Sequence, residues 1–117
     1  MKSDLRERTK RFALRIIRLF SSLPKSLAAD VVGRRVLKSG TSVGAHYHEA
    51  HRARSTAEFI SKIEVGLQEL EETAYWLELL AEGKMVSAQR LADLRDETEQ
   101  LIAIFTSVAK NAKKRRS

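Results

Sequence analysis

The sequence predicts an all-α fold, an antiparallel up-down four-helix bundle formed by one domain of 117 residues. The composition is typical of a helical globular domain, because hydrophobic residues make up 43% of the chain and proline occurs once. Apolar residues recur at steps of three and four in four segments, which is the repeat of one face of a helix. The connections between these segments are short, and short connections favour antiparallel neighbours.

The first predicted helix begins after Asp4, because Asp4 and Glu7 have the spacing of a capping box. It ends before Pro24, since the residue before a proline is disfavoured in the helical conformation. Its apolar arc is wider than a single core contact requires and contains Leu5, Phe12, Ala13, Ile16, Ile17, Leu19, Phe20 and Leu23.

The second predicted helix spans about residues 26–50, and three glycines lie beside its apolar stripe. That stripe consists of Val32, Val36, Ser39, Val43, Tyr47 and Ala50. Each of Gly33, Gly40 and Gly44 costs a helix interior about 1 kcal/mol relative to alanine. We expect the close approach of another backbone to compensate for this cost. A functional loop or break around residues 39–44 is the alternative.

The third predicted helix begins at a second capping box, Ser55 with Glu58, and Gly83 is placed to follow its C-cap. Ser87 can cap the fourth helix. Both helices have apolar stripes at steps of three and four: Phe59, Ile63, Gly66, Leu70, Thr73, Leu77 and Leu80 in the third, and Leu91, Leu94, Thr98, Leu101, Phe105 and Val108 in the fourth.

Several kinds of chemistry are excluded by the residues themselves. Without a cysteine the chain has no disulfide, no thiolate zinc site and no cysteine nucleophile. A di-iron bundle needs Glu-x-x-His motifs, but the residue three positions after Glu49 is Arg52. We interpret His46, His48 and His51 as polar residues at a helix end, because two histidines one turn apart lack a third ligand. We therefore predict no metal, no cofactor and no enzymatic activity.

No apolar run approaches the roughly 20 residues that a membrane-spanning helix needs. The basic N-terminus lacks the uninterrupted apolar stretch of a signal peptide. We expect no membrane partner and a cytoplasmic location.

Charge is sorted along the chain. Residues 1–50 have a net charge of +7, residues 55–108 have −7, and the whole chain has +7. A basic excess of this size favours a polyanionic partner.

We divide the chain into a bundle over residues 1–112 and a basic tail over residues 113–117. The candidate contacts to RNA or DNA phosphates are Arg8, Arg11, Arg15, Arg18, Arg34, Lys38, Lys113, Lys114, Arg115 and Arg116.

Three interpretations of the four arginines on the first helix stay open. They bind nucleic-acid phosphates, they form a solvated face, or they pair with an acidic stripe on the third helix that contains Glu64, Glu71, Glu78 and Glu82. Guanidinium groups suit phosphate geometry, and contacts to phosphates contain no sequence information. For the tail we expect disorder and nonspecific binding to polyanions.

Large apolar residues remain outside the predicted core. Ile17 and Phe20 lie on a second face of the first helix, and Val65, Trp76 and Leu79 lie on a second face of the third. Monomers seldom expose such patches, so we predict that these five residues form the interface of a homo-oligomer. A rim of ordinary exposed hydrophobic residues is the alternative.

The segment over residues 39–80 resembles the four-helix bundle proteins named for the 23S rRNA intervening sequences that encode some of them. The resemblance depends on Ser-Gly-Thr-Ser-Val-Gly-Ala at residues 39–45, on Phe-Ala-x-x-Ile at residues 12–16 and on the Leu-Pro pair at residues 23–24. The family usually has Asn at the position of His46 and often Arg at the position of His48.

The resemblance implies a protomer that assembles into a ring-like homopentamer and binds RNA, with no catalytic residues. It also implies similarity to the accessory variability determinant proteins of diversity-generating retroelements, which are basic pentamers that bind nucleic acid and partner a reverse transcriptase. We expect a non-enzymatic, oligomeric nucleic-acid-binding protein. The alternative function is a protein-interaction scaffold that docks a partner protein through Trp76, Leu79 and the ring surface.

Overall fold

The computed structural model describes residues 4–116, and the side chains of residues 4–115. This part of the chain forms four α-helices and no strand: α1 (Leu5–Ser21), α2 (Leu27–His51), α3 (Thr56–Glu82) and α4 (Ala88–Arg116). Consecutive helices pack against each other, and α1 approaches α4 less closely than it approaches α2. Within the described residues α1 and α3 do not meet, so they occupy diagonal corners. The all-α fold with four helices is confirmed, and the packing is consistent with an up-down bundle.

Each helix begins where a short polar side chain caps it. The Asp4 carboxylate accepts a hydrogen bond from the Arg6 backbone N–H at 3.0 Å. Serine hydroxyls cap the other three helices. Each accepts a hydrogen bond from the backbone N–H three residues later, at 3.1 Å for Ser26, 3.0 Å for Ser55 and 3.2 Å for Ser87. These bonds satisfy backbone donors that have no partner inside the helix. The predicted starts of all four helices are confirmed.

The glycines of α2 allow α1 to pack closely against it. A Cβ atom on Gly33 would lie 2.6 Å from Leu23 Cδ1, and one on Gly40 would lie 2.7 Å from Ile16 Cγ1. Real Cβ atoms do not approach so closely, so a neighbour would have to move. At Gly33 that neighbour is the flexible end of Leu23. At Gly40 it is the fully buried Ile16, which cannot move easily.

The predicted close approach of another backbone is seen at Gly44, where a Cβ would lie 3.6 Å from the Thr9 carbonyl carbon. At Gly33 and Gly40 the nearest atoms belong to side chains of the α1 segment, so the prediction is wrong there. The alternative of a break is wrong, since α2 is continuous.

Gly40→Ala is expected to lower the free energy of unfolding by about 1 kcal/mol. Alanine gains about 1 kcal/mol of helix propensity, but overpacking against the fully buried Ile16 costs more, about 1–3 kcal/mol. Urea unfolding measures the difference. Gly44→Ala is the matched control, because its Cβ would meet the Thr9 hydroxyl at 3.2 Å, where a small adjustment suffices. An equal loss in both variants would contradict the packing argument.

The core contains one hydrogen bond between α2 and α3 among its apolar side chains. The hydroxyls of Ser39 and Thr73 are 2.7 Å apart, and Thr73 also donates to the Glu69 carbonyl at 2.8 Å. Both side chains are at most 2% exposed. Burying hydroxyls without partners is costly, so this pair favours one register of α2 on α3. The sequence placed both residues in core stripes but did not predict their bond.

The end of α3 differs from the prediction for Gly83. Gly83 is the C-cap itself, with an ordinary φ of −78°, and the left-handed residue is Lys84, with φ of 59°. The Lys84 N–H donates to the Ala81 carbonyl at 3.1 Å, and the Met85 N–H donates to the Leu80 carbonyl at 3.0 Å. This is the Schellman pattern shifted by one residue. The prediction that Gly83 follows the C-cap is therefore wrong. Met85 packs against the core, and this contact fixes where the chain turns.

The basic tail also differs from its prediction. The last helix, α4, continues to Arg116, so disorder over residues 113–116 is wrong. Ala109 and Ala112 are buried, which holds the end of the helix against the bundle. Lys113 Nζ lies 2.6 Å from Glu64 Oε2 of α3. The side chain of Arg116, another candidate contact, lies outside the described part, as does Ser117.

Candidate nucleic-acid interface

Opposite charges occupy opposite corners of the bundle. The sequence of α1 contains six basic residues and one acid, whereas α3 contains seven acids and one lysine. Because these helices do not meet in the described structure, the arginines of α1 cannot pair with the glutamates of α3 inside one protomer. That interpretation is wrong for a single chain. The positive charge of α1 therefore faces α4 and the solvent.

A groove runs between α1 and α4 because these two helices are less closely packed. Its wider part has a volume of about 560 Å³, and its narrower part, toward the start of α4, has about 250 Å³. The two parts share Arg15 and Arg18. We call this feature the α1–α4 groove, and it is lined by Arg8, Arg11, Phe12, Leu14, Arg15, Arg18, Leu19, Arg90, Leu91, Leu94 and Glu97.

The donors of one predicted contact, Arg8, are engaged by the protein itself. Arg8 Nε lies 2.7 Å from one Glu97 carboxylate oxygen, and an Arg8 terminal nitrogen lies 2.8 Å from the other. That nitrogen also donates to Gln100 at 2.9 Å. The hydrogen bonds that Arg8 donates to the Glu97 carboxylate raise the pKa of Arg8 above its ordinary value. Arg8 therefore fixes α1 to α4 at the groove wall.

Arg11, Arg15 and Arg18 have no carboxylate partner among residues 4–115. Arg11 and Arg18 are exposed, and Arg15 is half-buried. Arg90 approaches the same groove from α4 and donates to the Ser22 hydroxyl at 2.6 Å. The groove thus brings together four arginines whose charges no acid of the described chain neutralises. Sequence reasoning missed Arg90, because it is one of few basic residues in an acidic segment.

The other predicted contacts lie elsewhere. Arg34 lies outside this groove on α2, where it pairs with Asp30 at 3.0 Å, and Lys38 is exposed on the same helix. Arg115 lines a separate pocket at the far end of the bundle, beside His51 and Arg54. The ten predicted residues therefore do not form one surface, and only the α1 stripe lines this groove.

The histidines do not form a metal site in the described residues, where no group of three or more suitable ligands occurs. His46 lies between Glu49 and Glu69, with nitrogen-to-oxygen distances of 3.6 Å to each, and its Nδ1 is buried without a hydrogen bond in this part of the chain. Lys62 donates to Glu49 at 3.0 Å, which lowers the pKa of that carboxyl. His51 packs edge-on against Tyr47.

The predicted interface residues differ in how much surface they expose. Ile17 is 43% exposed, whereas Phe20 lies against Gly33 of α2 and is half-buried. Val65, Trp76 and Leu79 are also half-buried, and the Arg35 guanidinium lies 5.9 Å from the Trp76 ring centre. Further exposed apolar residues, outside the five predicted interface residues, are Leu14, Leu27, Val31 and Tyr75.

The fold and the α1–α4 groove define the class of protein: it is a small all-α bundle with an arginine-lined groove. None of its described helices is long and apolar enough to cross a membrane. The chain belongs to the 23S rRNA-intervening sequence protein family, whose family model matches residues 1–107. The predicted family resemblance is thus confirmed.

The chain is also similar to a solved structure, that of a protein with unknown function from the S23 ribosomal protein family of Bacteroides thetaiotaomicron. The two sequences are 32% identical, and the TM-score is 0.86. The match covers 92% of this chain and 99% of that chain. No curated protein matches the sequence. The similarity to accessory proteins of retroelements stays a prediction.

Proposed function

We propose that this protein is a non-enzymatic homo-oligomer that binds RNA or DNA through phosphate contacts in the α1–α4 groove. The observation that supports the proposal most strongly is that Arg11, Arg15 and Arg18 line one groove without a carboxylate partner among the described residues. Arginine is the side chain best suited to phosphate oxygens.

The spacing of these arginines matches a nucleic-acid strand. From Arg11 to Arg18 the helix rises by about 10 Å. One DNA strand has a phosphate for about every 3.4 Å of helix axis, so the stripe spans about three phosphates. Like charges three and four residues apart on a helix also repel each other. A bound polyanion would relieve that repulsion.

Among its described residues the groove has no exposed aromatic ring on which a base could stack. Phe12, the aromatic residue that lines it, is 1% exposed and cannot stack on a base. Under this proposal the arginines contact the phosphate backbone, and such binding depends on the release of counterions. We therefore expect little sequence preference and a steep dependence on salt.

Self-assembly is part of the proposal, because a ring would present several grooves to one strand and so increase avidity. The family resemblance supports five copies, and the predicted similarity to the accessory proteins of retroelements would make a reverse transcriptase a protein partner. Light scattering counts the copies. Co-purification with a co-expressed reverse transcriptase tests the second partner.

The test compares the wild type with the triple variant R11Q/R15Q/R18Q. A labelled RNA and a labelled DNA are titrated by fluorescence anisotropy at about 50 mM salt, where phosphate contacts are strong. We expect the triple variant to bind at least about tenfold more weakly. The control K25Q/R52Q/K84Q removes the same charge from exposed positions outside the groove.

A loss of similar size in both triple variants would contradict a role for the groove. Absence of wild-type binding at about 50 mM salt would refute nucleic-acid binding as a whole. That result would favour the alternative function, a scaffold for a partner protein. The word rRNA in the name of the family would then be the one connection of this protein to RNA.

A further inference from the structure

A second groove, between α1 and α2, combines a basic rim with small lining residues. It has a volume of about 350 Å³, and the small residues that line it include Ala13, Gly44 and the exposed Ala45. Arg6 and Lys10 form the rim, and both are exposed. The nearest carboxylate to Lys10 is that of Glu7, at a long 3.9 Å. Small lining residues leave room for a large side chain from outside, and the exposed Ile17 follows Ala13 by one turn on the same helix.

A third groove, between α3 and α4, has the opposite charge. Its volume is about 500 Å³, and Tyr75 beside it is 52% exposed. No salt bridge in the described structure neutralises its four carboxylates, although Arg95 also lines the groove. These carboxylates belong to Glu71, Glu78, Asp96 and Glu99.

The two grooves lie on opposite sides of the protomer. Around the bundle α1 contacts α2, α2 contacts α3, α3 contacts α4, and α4 contacts α1. The pair α1–α2 therefore forms the side opposite the pair α3–α4. Within one chain the basic and acidic grooves cannot meet, so complementary charge has to come from another molecule.

We propose that the α1–α2 groove of one copy receives the Tyr75 side of α3 from the next copy. Tyr75 enters over Ala13 and Ala45, and Glu71 and Glu78 pair with Arg6 and Lys10. A second copy fits better than an unrelated partner, because both halves of the complementary pair are present on this chain.

The same charges exclude a symmetric dimer through either groove. Two α1–α2 grooves face to face would bring Arg6 and Lys10 of both copies together, and two α3–α4 grooves would bring eight carboxylates together. The contact is therefore head-to-tail, which closes into a ring or extends as a filament. The α1–α4 groove lies on a different side and stays open to a polyanion. The inference rests on the self-assembly part of the proposed function.

The test is a charge swap on the full chain, followed by light scattering without nucleic acid. R6E/K10E makes both grooves acidic, and E71K/E78K makes both basic. We expect each variant alone to associate at least about tenfold more weakly than the wild type, because like charges meet at the interface. The chain with all four changes should assemble again as the wild type does. An equimolar mixture of the two variants should form mixed species in which they alternate, although a ring with an odd number of copies cannot close this way without one repulsive contact. The control E82K/D93K changes the charge as much outside the grooves and should assemble normally.

Circular dichroism shows whether each variant folds, and neither the mixed species nor the recovery with all four changes can come from misfolded chains. An assembled wild type whose single-groove variants also assemble would overturn this inference alone. A monomeric wild type would overturn it together with the proposed self-assembly. Phosphate binding is tested separately by the Arg11, Arg15 and Arg18 variants, so its failure would leave this result standing.

Discussion

Phe105→Ala is expected to lower the free energy of unfolding by about 3–5 kcal/mol, the range for removing a fully buried phenylalanine. The Phe105 side chain is 0% exposed, and its ring centre lies 5.9 Å from that of Tyr47 on α2. The ring also fills the space over Gly66 of α3, where a Cβ would lie 2.8 Å from Phe105 Cε2. One side chain of α4 therefore packs against two other helices, and its loss leaves a cavity that they cannot easily close.

Urea unfolding followed by circular dichroism measures this loss. Phe59→Ala is the control, because Phe59 is half-buried and lines an open pocket that water can enter. We expect it to cost less than half as much, since little burial is lost. Equal losses would mean that Phe105 is not central to the packing of the bundle.

Glu97→Gln is expected to change stability and binding in opposite directions. Glu97 holds Arg8 through two hydrogen bonds, and the side chains of both residues are less than 20% exposed. The amide of glutamine can still accept a hydrogen bond, as Gln100 does, but the partly buried Arg8 cation loses its charged partner, which costs about 1–3 kcal/mol of stability. The same change removes the negative charge from the groove and releases Arg8 for a phosphate. We expect RNA affinity at low salt to rise by about three- to tenfold.

Thermal unfolding and anisotropy on the same preparation measure the two effects. Glu99→Gln is the control, since it removes an equal charge from the α3–α4 groove on the other side of α4. Its RNA affinity should change little. A loss of affinity in Glu97→Gln would show that the Arg8–Glu97 pair supports the binding site by shaping it.

The helices were predictable because their signals are local. Capping residues such as Ser26 and Ser55 act on backbone donors within three residues, and core stripes depend only on spacing along the chain. The end of α3 was not predictable in this way. Lys84 takes the left-handed conformation where the sequence offers Gly83, because the packing of Met85 decides the position of the turn.

The candidate site was only partly predictable for a related reason. The stripe of Arg11, Arg15 and Arg18 follows from helix periodicity alone. By contrast, the partner of Arg8 is 89 residues away, and Arg90 enters the groove from a segment that is acidic overall. The sequence could not show that α1 and α4 are less closely packed, so it could not predict a groove.

The salt dependence of RNA binding tests the role of the α1–α4 groove most directly. If Arg11, Arg15 and Arg18 each release counterions from one phosphate, they contribute about −2 to −3 to the slope of log K against log salt. The wild type should therefore show a steeper slope than R11Q/R15Q/R18Q by that amount, between about 50 and 200 mM salt. Identical slopes for the two proteins would contradict phosphate binding in the groove.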